Sequence, residues 1–294
     1  MGYFLQQAIN GLQIGLVYAL IALGYTMVYG VVRLINFAHG DVFMVGAFIG
    51  LYAIERGRLP LPVVFAAAVA GCALLAVIIE RVAYRPLRDA PKIAALITAI
   101  GVSLFLEYFT SLKQVFGPNY YSFPRPFGVV TWEIGEVTVT NIQAIILAVT
   151  LACLALLQFV VHRTKVGRAM RAVSHDHVAA GLMGVDVNRV ITFTFGLGAA
   201  LAGAGGVLYG IAYPQVNTFM GFMPGLKAFT AAVLGGIGSI PGAFLGALIM
   251  GQAETMTSAY LSSTYRDGIA FLVLILVLLW RPTGMLGKSR TDKV

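Results

Sequence analysis

The chain has 294 residues, 59% of them hydrophobic and 11% charged, and its 20 Lys and Arg against 12 Asp and Glu give a formal net charge of +8. A soluble globular domain carries about 25% charged residues, so too few charges are present to cover a water-exposed surface. With a mean hydropathy of +0.86, the composition excludes an ordinary soluble enzyme and reads as one integral membrane domain over 1–294.

In chain order, the N-terminal MGYFLQQAINGLQIGLVYAL lacks the basic stretch and small-residue cleavage site of a secretory signal. Gln6 stands where an N-myristoylation site wants Ser or Thr, so the first apolar run reads as a permanent span. A crossing helix needs about 20 apolar residues. Spans are predicted at 8–32, 61–79, 93–112, 141–161, 190–212 and 266–280. Two further apolar stretches, 40–54 and 224–258, are interrupted. The first makes a helix of only about 22 Å, and the second contains the breaker cluster GGIGSIPG, 235–242. The expected fold is an all-α polytopic bundle of eight or nine transmembrane helices, some short or broken. The 34 glycines fit helices that approach closely or break beside a pathway.

Basic residues gather in the loops 81–92 and 162–189 and in the tail from Arg281, which carries Lys288, Arg290 and Lys293. The positive-inside rule makes these regions and the C-terminus cytoplasmic. The segments 113–140 and 213–224, and with them the N-terminus, are expected outside. The basic balance therefore reports topology, and nucleic-acid binding is not expected. MVYGVV (27–32) and VLYGIA (207–212) each end a long span and precede a polar interruption and a Gly-rich segment. This suggests a pseudo-repeat with halves at about 8–112 and 190–280.

Chemistry-bearing residues are few. Cys72 and Cys153 lie inside apolar runs and read as small hydrophobes. His175 and His177 are two apart and would not share a helix face, and no metal, cofactor or nucleotide motif is present. A membrane enzyme is disfavoured for want of a reactive constellation. Asn36, His39, Gly40, Asp41 and Gly46 interrupt the apolar chain in NFAHGDVFMVG, and Gly235, Gly236, Gly238 and Pro241 do so in the second half. Irregular backbone at membrane depth survives only when buried in protein or beside a wet cavity. Both stretches are therefore expected to be helix breaks along a translocation path, against the plainer reading of 36–41 as an interfacial turn with Asp41 on a helix dipole. Glu107, Lys227, Glu254, Arg266 and Asp267 are further charges in or near apolar segments, and Glu107 is the most conspicuous. The 167–190 stretch, GRAMRAVSHDHVAAGLMGVDVNRV, reads as a short amphipathic helix at the membrane surface followed by a turn at Gly181 and Gly184.

These residues resemble the membrane permease of bacterial branched-chain amino acid ABC importers of the high-affinity leucine/isoleucine/valine type. The similarity covers nearly the whole chain and is strongest at INFAHGDVFMVGAF (35–48), 167–195, 222–251 and WRPTGMLG (280–287). It implies a multi-pass subunit of the bacterial inner membrane that works with a second permease (a different chain), two cytoplasmic ATPases and a periplasmic substrate-binding protein. It further implies alternating access for branched-chain amino acids, with ATP hydrolysed by the partners. Ala179, Ala180 and Gly184 resemble the loop by which such permeases touch their ATPases, with Gly167, Arg168, Arg171, His175, Asp176 and His177 beside it. The His-Asp-His run departs from the family's acidic pattern and suggests a pH-sensitive contact near pH 6, which a His175→Glu, His177→Glu variant tests through ATP hydrolysis. Urea, short amides or other neutral amino acids are alternative cargoes, and a stand-alone carrier or channel is a more distant reading.

Overall fold

The computed structural model describes residues 1–88 and 90–287. Lys288, Arg290 and Lys293 lie outside the described residues. Eleven α-helices make up the described chain, joined by π and 3-10 turns and two small antiparallel strand pairs.

Helix α1, Gly2–Val32, runs for 31 residues, about 46 Å, through the middle of the bundle. Its most apolar stretch is 89% buried, whereas that of the last helix, α11 with its preceding 3-10 turn, is only 6% buried. A helix apolar on every side belongs in a core. Helix α1 packs against α8 (Val187–Ala212) on one side and α10 (Ile240–Tyr260) on another. Small residues make these crossings possible: a Cβ built at Gly251 would lie 2.4 Å from the backbone nitrogen of Gly15.

Arg33 stops α1 by adopting a left-handed conformation (φ 56°), with its N–H donating to Tyr29 O at 2.8 Å. The chain then turns back along α1, so that α2, His39–Glu55, starts beside Gly24 and Tyr25 rather than beyond Val32. Helix α3, Leu61–Ile79, begins after Pro60 and continues into a π turn, Glu80–Tyr84, and a 3-10 turn, Arg85–Leu87. Helix α4, Lys92–Thr110, leads to strand β1 (Tyr121–Ser122) and the β2–β3 hairpin (Thr131–Ile134 with Val137–Thr140). Thr140 and Gln143 form a reciprocal capping box that opens α5, Asn141–Arg163. Strand β4, Gln215–Val216, pairs with β1. The hairpin holds the start of α1: Gly2 N donates to Glu136 at 2.8 Å, and Thr138 N to Gln6 at 2.8 Å.

Six helical stretches are long and apolar enough to cross a membrane. Three others complete the bundle: α2 with 17 residues, α9 (Phe222–Gly235) with 14, and α10 with 21. The count of eight or nine thus rests on which of these short or polar helices are taken as crossings. Gly236 and Gly238, at φ 103° and 94°, make the break between α9 and α10. Ser239 caps α10 and Pro241 occupies its first turn. After α11, Arg266–Trp280, the tail turns at Gly284 and donates N–H groups of Met285 and Leu286 to Leu234 O and Gly235 O, each at 2.9 Å. The terminal PTGMLG segment thereby satisfies carbonyls that α9 leaves open at its C-terminus.

One correction concerns 167–184. A single amphipathic helix was expected there, but the chain forms two: α6, Lys165–His175, and α7, His177–Leu182. Asp176 separates them in an extended conformation, φ −153°, because its carboxylate accepts from Val178 N and Ala179 N and so caps α7 instead of continuing α6.

Candidate functional site

Three groups of residues carry the polar chemistry. The first is the re-entrant start of α2. Asn36 is buried and accepts a hydrogen bond from Tyr84 OH at 2.7 Å, which ties the irregular segment to the π turn after α3. His39 packs its ring edge-on to Tyr25 with centroids 4.8 Å apart. Asp41 accepts from Ser103 Oγ of α4, and Glu107 lies one turn further along that helix, close enough to act on Asp41 electrostatically. His39 and Asp41 are 2% and 1% exposed, yet His39 Nε2 and Asp41 Oδ1 have no hydrogen-bond partner among the described residues. Buried polar atoms are normally paired, so this pair of orphans marks the place as unusual.

The start of α2 meets the start of α9 there. A Cβ on Gly40 would fall 2.5 Å from Gly221 O and 3.0 Å from Gly225 Cα. Two helix N-termini, each with its positive dipole end, therefore touch inside the bundle. Gly46 presses in the same way on Gly203 of α8. Sequence reasoning singled out Gly40 and Gly46 but not Gly221 or Gly225, which Gly40 meets. Gly235, Gly236, Gly238 and Pro241 lie at the other end of α9, beside Gly30 and the tail, and do not join His39 and Asp41.

The second group is a buried ion cluster. Lys227 of α9 lies 3.0 Å from Glu254 of α10 and 2.6 Å from Asp267 of α11. Arg266 also bonds Glu254, and Tyr18 of α1 donates to its other oxygen at 2.9 Å. Lys227 and Glu254 are 4% and 1% exposed. The charges were visible in the sequence, but their convergence was not. The usable signal was their rarity, since charges inside an apolar bundle persist only when paired.

The third group is the α6–α7 pair at the Val32 end of α1. Gly167 allows α6 to fold back on α5, because a Cβ there would lie 2.2 Å from Val160 O. Arg171 donates to Val161 O and fastens the same corner. Met170 and Val173 face the bundle, whereas Arg168, His175, Asp176 and Ala179 are exposed. Ala180 is buried, His177 lies 3.1 Å from Val31 O, and Gly184 turns the chain at φ 82°. Helix α7 presents Val178, Leu182 and Met183 outwards at 73%, 84% and 84% exposure. Three bare apolar side chains on one projecting turn form a surface suited to a partner.

The cap at Asp176 has a definite pH behaviour. The N–H groups of Ala179 and Val178 hold its carboxyl below the usual carboxylate range. A lowered folded-state pKa makes the cap complete above the ordinary carboxylate value, with loss only as pH falls through the lowered one. The α7 geometry is therefore expected to be unchanged between about pH 5 and 8, which amide exchange at Val178 and Ala179 would measure. Asp176→Asn should keep the cap and Asp176→Ala should fray α7.

No three His, Cys, Asp or Glu side chains among the described residues converge as metal ligands would. The arrangement is one of packed helices, a close glycine contact and a projecting apolar turn. A model of the family described as branched-chain amino acid transport system / permease component matches residues 7–278. The high-affinity branched-chain amino acid transport system permease protein LivH of Escherichia coli (strain K12) is 45% identical, over 99% of this chain and 98% of its own. The corresponding protein BraD of Pseudomonas aeruginosa is 43% identical, over 99% and 98%. A relative from Methanocaldococcus jannaschii, a probable branched-chain amino acid transport permease protein LivH, is 29% identical over 91% and 88%. Among solved structures, PsaBC from Streptococcus pneumoniae in complex with Fab matches with TM-score 0.50 and 15% identity over 96% and 93% of the two chains, a likeness of fold alone. The chain belongs to the family of permease components of branched-chain amino acid transport systems.

Proposed function

We propose that this chain is the membrane-spanning permease subunit of an ATP-binding cassette importer that moves branched-chain amino acids across the bacterial inner membrane by alternating access. The full-length similarity to permease subunits of such systems carries the reading. An amino acid zwitterion does not cross about 30 Å of hydrocarbon unaided, so the subunit's work is to open a path to one side at a time. The α6–α7 pair is the contact for a cytoplasmic ATPase, with Val178, Leu182 and Met183 as its apolar anchors. The close contact of Gly40 with Gly221 and Gly225 is the place where α2 and α9 shift against each other. This reading puts the basic ends, α6–α7 and the C-terminus in the cytoplasm, and the β2–β3 hairpin outside. It also brings a second permease chain, two ATPases and an external binding protein as partners, with hydrolysis left to the ATPases.

The test is a mild-detergent pulldown from the native membrane, followed by ATPase assays with loaded binding protein. Co-purification of a second permease and Walker-containing ATPases, with hydrolysis stimulated by leucine-, isoleucine- or valine-loaded binding protein, is expected. Recovery of the chain alone, even after crosslinking through 167–184, would overturn the proposal. Stimulation by an amide but not by these amino acids would overturn the cargo.

A further inference from the structure

A cavity of about 790 Å³ opens between α3 and α8 at the end of the bundle where the basic loops gather. Its volume lies within the roughly 300–1,000 Å³ of small-ligand sites. The lining changes character along its length. Ala73, Val77, Phe193 and Leu197 form apolar walls, and Arg81, Arg85 and Arg189 stand at one end. Gly196 makes room in the wall, since a Cβ there would have only ordinary contacts, 3.6 Å to Val77 Cγ2 and 3.8 Å to Ala73 O.

The arginines are held in place by their neighbours. The π turn at 80–84 directs Glu80 and Tyr84 into the protein: Glu80 is 0% exposed, accepts from Thr192 Oγ1 at 2.7 Å and pairs with Arg88, while Tyr84 bonds Asn36. With that face pinned, Arg81 and Arg85 are left exposed on the other. Among the described residues neither makes an ion pair, and only Arg189 is matched, to Asp186 at 2.9 Å. Two exposed guanidinium groups thus sit at the mouth of an apolar groove.

We infer that this groove binds an anionic phospholipid, with the phosphate between Arg81 and Arg85 and an acyl chain along Ala73, Val77 and Leu197. Basic pockets between transmembrane helices select anionic headgroups, and guanidinium groups suit phosphate oxygens. A soluble phosphate would have no use for the apolar walls.

The experiment uses the intact transporter in lipid nanodiscs with a photoactivatable phosphatidylglycerol, and peptide mapping of the label. Labelling is expected within 73–88 and 186–200, displaced by unlabelled phosphatidylglycerol but not by phosphatidylcholine or free glycerol phosphate. Each arginine near a headgroup contributes about fivefold in affinity, so Arg81→Gln/Arg85→Gln should weaken competition about 25-fold. Arg81→Lys/Arg85→Lys should keep most of it. Gly196→Leu, which fills the groove without touching charge, should abolish it. Label spread evenly over all lipid-facing helices, equal competition by phosphatidylcholine, or unchanged competition in the Gln and Leu variants would each overturn the inference. So would labelling of the isolated chain that disappears on assembly, because a protein partner would then cover the groove.

Discussion

Glu254→Ala is expected to cost about 3–5 kcal/mol, the usual penalty for removing one member of a buried ion pair. Its carboxylate holds Lys227, Arg266 and Tyr18 from three other helices. Without it, Lys227 stays buried with only Asp267 at 2.6 Å to balance it. Thermal unfolding in detergent, followed by size-exclusion chromatography, would measure the loss. Arg266→Ala should cost less, because that side chain is 41% exposed and reaches water. Adding Lys227→Ala to Glu254→Ala should recover part of the loss, since the stranded charge is removed with its partner. A double variant that loses the sum of what Glu254→Ala and Lys227→Ala lose singly would show that the pair is not coupled.

Gly40→Val should instead spare insertion and abolish movement. A side chain at this position would enter backbone of Gly221 and Gly225 at 2.5 and 3.0 Å, where no rotamer change relieves it. Overpacking of this kind costs about 1–3 kcal/mol, and if α2 and α9 must close on each other in one state, that state is depleted about 5- to 150-fold. Uptake of labelled leucine by cells should fall accordingly, with membrane levels of the chain near normal. Gly101→Ala in α4 is the control, since a Cβ there meets nothing within 4 Å. Full uptake by Gly40→Val would refute the hinge.

The sequence showed the helices more clearly than their neighbours. The predicted spans 61–79 and 266–280 coincide with α3 and α11, since an apolar run of crossing length defines itself. Gly184, Gly236 and Gly238 turn the chain where breaker residues were expected. The split at Asp176 was hidden because an N-cap aspartate looks like any other polar residue in an amphipathic stretch. Pairing of Tyr18 with Glu254, and of Gly40 with Gly221, joins segments some two hundred residues apart, which local periodicity does not encode. In lipid the difficulty deepens, because a helix buried by protein and one bathed in acyl chains are both apolar. Helix α1 and helix α11 therefore look alike in the sequence, although one is the core and the other the rim.

The central place of α1 also sets a timetable. It leaves the ribosome before every other described helix, yet its partner α10 ends at Tyr260. At about 5–20 residues per second, that is roughly 12–50 s of waiting. Throughout that interval the face of α1 that meets α10, with Gly15 and Tyr18, has only lipid or the insertion machinery against it. A chain arrested before α10 would leave one face of α1 uncovered and Lys227 without the Glu254 carboxylate. Such a fragment is a natural target for membrane proteolysis, so completion of the last third of the chain decides whether the first third survives.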